Sequence, residues 1–279
     1  MAAIFRTPGV YIQEQNAFPN AIAQVETAVP VFIGYTEKAF KNGESLLNIP
    51  TKISSFVEYV HFFGVDFNAK FNILDPEPND SRTLIKINGS KKALDYVAQH
   101  NALMYSSIKF FYANGGTNCY IVSVGTYSED SSVPIETDAL LGTKIIDGHV
   151  IEGGLNALKK ESKPTIIVIP DAVNLPATEC YKIYQSVLKH CSEMDNRMAV
   201  LDIHNGFQKQ ITGSSNGDII SHFRDQIGTQ NLKYGAAYYP WLHTNIVNKA
   251  EVSFQNINLP LTELKELLPE DTAITLINE

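Results

Sequence analysis

The chain has 279 residues, with 22 Lys+Arg against 30 Asp+Glu for a formal charge of −8, and 44% apolar against 19% charged residues. That apolar share is enough for a core and argues against a disordered chain. The acidic balance, without any basic run, argues against a surface that tracks nucleic-acid phosphates, and no stretch reaches the roughly 20 apolar residues of a membrane span.

The length fits one large domain or two small ones. The opening residues Met1-Ala2-Ala3-Ile4-Phe5-Arg6-Thr7-Pro8 lack the charged region and apolar run of a secretory signal, so the expected product is a soluble protein made in the cytoplasm. Low charge combined with 13 Tyr and 14 Phe is unusual for a lone soluble monomer.

Residues 1–25 do not read as a domain. Thr7-Pro8-Gly9-Val10-Tyr11-Ile12-Gln13-Glu14 is a turn followed by a short β-prone run, and Asn16-Ala17-Phe18-Pro19-Asn20 interrupts it. Pro8 and Pro19 bias their neighbours to extended backbone. A lone strand leaves backbone groups unpaired and has no core of its own. The segment therefore reads either as a terminus draped on the surface or as an arm that adds a strand to another sheet edge.

Ala28-Val29-Pro30-Val31-Phe32-Ile33-Gly34-Tyr35-Thr36 reads as a strand buried on both faces. Pro30 cannot donate to a ladder and marks the strand's start or an edge. Residues 51–64 predict a short helix with Phe56, Tyr59, Val60 and Phe63 on one face and Ser54 or Ser55 as cap. Residues 65–90 are rich in Asn, Asp and Pro and read as loop, with chance glycosylation-type sequons at Asn79 and Asn88. Residues 91–113 predict one amphipathic helix that stops at Asn114-Gly115-Gly116. Cys119-Tyr120-Ile121-Val122-Ser123-Val124-Gly125 is the next strand.

From residue 151 helices and strands alternate: a helix at 151–160, a strand at 165–170, a helix at 177–194 and a strand at 197–203. A helix over roughly 217–228 and a strand at 234–239 follow. This alternation predicts an α/β fold with a mixed, largely parallel, doubly wound sheet flanked by helices. After it, 261–268 predicts a short helix, and Thr272-Ala273-Ile274-Thr275-Leu276-Ile277 is a β-prone run. The chain is thus divided into an extended N-terminal arm (1–25), a first part of the body (26–150), an α/β body (151–245) and a C-terminal segment (246–279).

Sheets of this kind bind ligands at the carboxyl ends of their strands. Asp171, Asp202 and His204 fall there, although acidic residues after strands commonly cap helices or close turns. No GxGxxG follows a strand, no GxSxG elbow or HExxH pair occurs, and Gly213-Ser214-Ser215-Asn216-Gly217 lacks the Lys-Ser/Thr of a phosphate loop. Asn114-Gly115-Gly116-Thr117-Asn118 follows a helix C-terminus, where the dipole repels anions, and reads as a cap. Cys180 and Cys191, about 16 Å apart along one helix, are too distant to pair, and with Cys119 they read as buried thiols. No cofactor, metal or catalytic residue is expected.

Four blocks carry a resemblance. Thr7–Glu14 resembles the TPGVYIEE opening of contractile tail sheath proteins, the coats of phage tails, extracellular contractile injection systems and type VI secretion. Val25–Thr36 resembles their V.TAVPAFIG.T strand, Phe110–Gly125 their FF.NGG..CYVVRV helix-turn-strand, and Ala236-Ala237-Tyr238-Tyr239-Pro240-Trp241-Leu242 their AAYYPWL strand end. The resemblance implies a structural subunit rather than an enzyme. Its partners would be further copies or related sheath subunits, an inner tube protein, and baseplate and cap proteins, with no direct nucleic-acid binding and no membrane insertion. Thr7, Pro8, Gly9, Val10, Tyr11, Ile12, Gln13 and Glu14 would form an inter-subunit arm. The particle would assemble in the cytoplasm and end in a virion tail or a released contractile particle. The family usually continues well past the block matched at 236–242, whereas 37 residues follow Leu242 here, so a tube-contacting region and second arm are not assigned. The rival readings are an α/β enzyme or nucleotide-binding protein using Asp171, Asp202 and His204, and a baseplate or cap component that does not polymerise.

Overall fold

Strand β1 (Pro30–Thr36) is buried along its whole length and lies in the middle of the main sheet, so Pro30 marks a strand start and not an edge. The computed structural model describes residues 27–67, 69–78, 80, 82–96, 102–127, 135–211, 218–248, 251–270 and 273. The arm at 1–25, the Gly213–Gly217 loop, Asn79 and most of the 272–277 run lie outside the described residues.

A small hairpin, β2 (Phe40–Lys41) with β3 (Glu44–Ser45), follows β1. Then come β4 (Thr51–Ile53) and helix α1 (Phe56–Phe63), whose N-terminus is capped by the Ser55 side chain accepting from the Glu58 amide. The sequence predicted a helix from 51 onward. Its first residues are instead an edge strand, because Thr51 to Ile53 pair antiparallel with Ile121 to Cys119.

The stretch predicted as loop (65–90) and the first part of the predicted helix (91–113) are both corrected. They hold an antiparallel three-stranded sheet of β5 (Phe71–Leu74), β6 (Thr83–Ile87) and β7 (Ser90–Tyr96), in the order β5-β7-β6. Ile87 pairs with Ser90, leaving Asn88-Gly89 as a two-residue turn with φ of 47° and 79°. Two positive-φ residues suit the right-handed twist of a hairpin, which is why Asn-Gly selects it. The helix that follows, α2, covers only Met104–Ala113. It ends as expected, with Gly115 at φ 85° and the Gly116 amide donating to the Phe111 carbonyl.

The remaining strands are β8 (Cys119–Thr126), the two-residue pair β9 (Ile145–Ile146) and β10 (His149–Val150), β11 (Ile166–Val168), β12 (Met198–Asp202) and β13 (Gly235–Tyr238). The helices between them are α3 (Thr137–Leu141), α4 (Gly154–Ala157), α5 (Ala177–Met194) and α6 (Ile219–Ile227). The main sheet runs β13-β12-β11-β1-β8-β4, parallel except for β4. The fold is therefore mixed α/β with a largely parallel six-stranded sheet flanked by helices, as the alternation predicted.

Alternation along β1 sorts the core into two faces. Val31, Ile33 and Tyr35 join a cluster with Leu140, Leu155, Tyr181, Ile183, Val187 and Phe223 from α3 to α6. Phe32 joins Tyr59, Phe63, Met104 and Ile108 from α1 and α2. Burying both faces is what lets the strands read as continuous apolar runs.

The last described helix, α7 (Leu261–Leu267), and the turn before it return to the small sheet. Ile257 bridges Phe71 in parallel, the Asn258 amide donates to the Phe71 carbonyl, and Asn88 Nδ2 donates to the Leu267 carbonyl. The small sheet is thus completed by residues some 180 positions downstream, with Leu264 and Ala93 both buried outside the two main clusters.

Candidate functional site

Two of the three side chains that an enzyme reading needs, those of Asp171 and His204, are engaged elsewhere. Asp171 is wholly buried, and its two oxygens accept from the Leu103 amide at 2.6 Å and the Tyr35 amide at 3.1 Å. Burial pushes its carboxyl up to about 6, and the two N–H donors oppose that shift. The carboxylate fastens β1 to the start of α2, whose first turn has no side-chain cap of its own. His204 holds its Nε2 3.0 Å from the Leu175 carbonyl, so that nitrogen carries the proton and is not a free base. The Asp202 side chain is exposed, while its carbonyl accepts from the Tyr184 hydroxyl. Among the described residues no hydrogen bond joins Asp171, Asp202 and His204 to one another. Tyr181 packs among Tyr184, His204, His222 and Phe223, a packing arrangement that sequence reasoning did not anticipate.

The cysteines stand as expected: Cys119, Cys180 and Cys191 are free and buried. Burial holds their thiols at about 11, 12 and 11, respectively, far from thiolate chemistry at neutral pH. A second buried ionisable pair, Arg197 and His190, serves the body. The Arg197 guanidinium donates to the Leu158 and Glu161 carbonyls at the end of a short 3-10 turn, and His190 Nε2 lies 3.3 Å away. Among the described residues there is no group of metal-ligating side chains, and no helix is long and apolar enough to cross a membrane.

What the fold does present is an open sheet edge next to a rigid apolar corner. The two edges of the main sheet differ. Strand β4 has three residues and exposes Lys52, two features that blunt an edge. Strand β13 is Gly-Ala-Ala-Tyr, without charge or proline, and its outer side is uncovered: Ala237 and Tyr238 are exposed. Among the described residues Ala236–Tyr238 are paired only with β12.

The chain then turns sharply through the cis Tyr239-Pro240 bond. Trp241 Nε1 donates to the Ile203 carbonyl at 2.9 Å, its amide donates to Gly206 at 3.0 Å, and the Tyr239 hydroxyl donates to Gln208. Gly206 is needed there, since a Cβ would stand 2.6 Å from the indole. The indole also packs on Phe207 with ring centroids 5.6 Å apart. The corner so fixed projects Leu242 (77% exposed) and Phe207 (64% exposed) beside Tyr238 (61% exposed). Sequence reading singled out Ala236–Leu242 only through resemblance. It missed Phe207 and Gly206, which no local signal separates from a polar loop.

No family model matches the chain, and no curated protein matches it. Among solved structures it is similar to the helical sheath of the anti-feeding prophage in its contracted state, at 16% identity and a TM-score of 0.41, over 85% of this chain and 46% of that one. It is also similar to a chain of the 6-fold symmetrised anti-feeding prophage baseplate, at 17% identity and a TM-score of 0.40, over 85% of this chain and 47% of that one. The chain spans about half the length of the solved structures it matches.

Proposed function

We propose that the chain is a structural subunit of a contractile tail sheath, one that polymerises helically around an inner tube. The observation that carries this reading is the unprotected β13 edge beside the Phe207–Trp241–Leu242 corner, which forms an assembly surface and not a catalytic cleft. The four ordered sequence blocks support it. They include β1 at the centre of the sheet, the α2–β8 connection and β13 at its edge.

In this reading residues 7–14 of one copy add a strand to a sheet of the next. Each backbone hydrogen bond exchanged contributes about 0.5–1.5 kcal/mol. The contact is head-to-tail, so repetition yields an open helix and not a closed dimer. Subunits assemble in a long, higher-energy state and shift to a shorter, wider one with larger contacts, driving the tube through a target envelope without nucleotide hydrolysis.

Deleting residues 1–15 tests the arm. The shortened chain is expected to keep its circular-dichroism spectrum but to show no cylinders by negative-stain microscopy. Normal cylinders after the deletion would overturn the arm's role. Failure of the intact chain to polymerise would leave the baseplate or cap reading in its place.

A further inference from the structure

We infer, independently of the sheath reading, that Asn88-Gly89 is a site of spontaneous deamidation and that the conversion unlatches α7 from the small sheet. The chain has five Asn-Gly pairs, in which the missing side chain after asparagine lets the next backbone nitrogen reach the carboxamide carbon. Four lie within the described residues, and their backbone sorts them. The Gly115 amide donates to the Tyr112 carbonyl and the Gly206 amide to the Ile203 carbonyl, so neither nitrogen is free to give up its proton. Asn42-Gly43 and Asn88-Gly89 are instead the exposed turns of the β2-β3 and β6-β7 hairpins, with φ of 53° and 85° in the first and 47° and 79° in the second. Among the described residues the Gly43 and Gly89 amides make no hydrogen bond. A Cβ on either glycine would meet nothing within 4 Å, so the reacting groups have room to turn toward one another.

In the reaction the Gly89 nitrogen gives its proton to base and bonds to Asn88 Cγ. The Cγ–Nδ2 bond breaks, and the departing nitrogen takes up a proton from solvent and leaves as ammonia. Water then opens the succinimide at one carbonyl to give aspartate, or at the other to give isoaspartate, with no oxidant or cofactor consumed. The consequence differs between the two turns. Among the described residues the Asn42 carboxamide makes no hydrogen bond, whereas Asn88 Nδ2 donates to the Leu267 carbonyl at 2.7 Å, in the last turn of α7. An ionised carboxylate only accepts, so after conversion two acceptors face each other and the latch is lost. Asp-Gly suits the same turn, so the aspartate product keeps the hairpin, while isoaspartate lengthens the backbone inside it and displaces the ladder as well. The stretch before α7 stays tied, because Asn256 Nδ2 donates to the Ala69 carbonyl and the Asn258 amide to the Phe71 carbonyl. The opening is thus confined to residues 261–268, where it uncovers Leu264, otherwise 1% exposed. Because ammonia is lost the change runs one way, and α7 loosens with the age of the molecule.

The test incubates the full chain at mildly alkaline pH and maps its peptides by mass spectrometry over time, with an isoaspartyl methyltransferase assay for the rearranged product. Acid is expected at positions 42 and 88 several-fold faster than at 114 and 205. Hydrogen exchange then reads the latch, since it reports local opening. The amides of 261–268 should exchange several-fold faster in Asn88→Asp, as in the aged protein, and at the parent rate in Asn42→Asp. Asn88→Gly, which keeps a positive-φ turn and removes the donor, should match Asn88→Asp. Asparagine retained at 88 while 114 or 205 converts would overturn the site. Exchange of 261–268 at the parent rate in both Asn88 variants would overturn the latch.

Discussion

Asp171 Oδ2 occupies the space that a side chain at Gly34 would need: a Cβ there would stand 2.4 Å from that oxygen and 3.1 Å from Met104 Cε. The carboxylate cannot swing aside, because the Tyr35 and Leu103 amides hold it from two directions. Gly34→Ala is therefore expected to lower stability by about 1–3 kcal/mol through overpacking. Asp171→Ala leaves two amides without their acceptor and should cost about 1–3 kcal/mol for each one that stays dry. Urea unfolding checks both. An unchanged midpoint for Gly34→Ala would show that the β1–Asp171 contact is slack.

Asp171 and His190 bias pH dependence in opposite directions. The Asp171 carboxyl is raised from 3.8 to about 6, chiefly by burial, so its contribution is fully present below pH 3.8 and is lost as pH rises through 6. His190 is lowered from 6.5 to about 4, by burial first and then by the charges of Arg197 and Lys159. Its contribution is present above pH 6.5 and is lost as pH falls through 4. The two slopes oppose one another between about pH 4 and 6. Relative to the parent, Asp171→Asn should lose stability more steeply on acidification, and His190→Gln less steeply. Thermal melts at pH 7.5, 6 and 5 distinguish these slopes, and parallel profiles for all three proteins would refute the assignment.

The Trp241 corner should be stiff for local reasons. Trp241→Phe keeps an aromatic ring but leaves the Ile203 carbonyl without its indole donor, at a cost of about 0.5–1.5 kcal/mol. Gly206→Ala should cost more, since its Cβ would meet both the indole and the Ile203 carbonyl. Indole fluorescence should redden in the second variant as the ring is displaced toward water. An emission spectrum identical to the parent's would count against the contact.

Ala237→Lys separates assembly from folding. The position is exposed on the β13 edge, so the substitution should change stability by no more than about 0.5 kcal/mol. A charge there is how natural sheets discourage pairing. On the proposed sheath reading, sedimentation velocity is expected to show a folded single-chain species for the variant and large assemblies for the parent. Assemblies of unchanged size would take the β13 edge out of the interface.

How much of this was legible in the residues varied along the chain. Helix α5 was read to the residue neighbourhood because eighteen positions repeat a 3.6-residue apolar stripe between a proline and a left-handed Asp195. The small sheet is not legible, because its strands leave nearly all their described residues partly or fully exposed, with Ala93 alone buried among them, and lack a clean apolar alternation. The Asn88-Gly89 turn is the one local signal of the hairpin, and in the sequence it coincides with a glycosylation-type sequon. Leu94 fits a helical apolar stripe, yet its pairing with Ile73 and Thr83 prevails over that pattern. The roles of Asp171 and of Asn256 were not legible at all. Each is defined by a partner more than sixty residues away, and no spacing rule reports such a contact.

The central place of β1 also governs when the molecule can fold. Its neighbours on either side are β8 and β11, so Val31 finds Tyr120 on one flank and Ile167 on the other. With synthesis at roughly 5–20 residues per second, about ten seconds separate the emergence of Val31 from that of Ile167. Until Tyr120 emerges Pro-Val-Phe-Ile-Gly-Tyr-Thr is a finished apolar strand with neither of its ladders, and until Ile167 emerges it still lacks the one with β11. Long-range parallel pairing is intrinsically slow, and an exposed segment of this kind invites association with other nascent chains. The newly made protein therefore passes through a window in which its most buried strand is its most adhesive one, and yield in cells should depend on how that window is shielded.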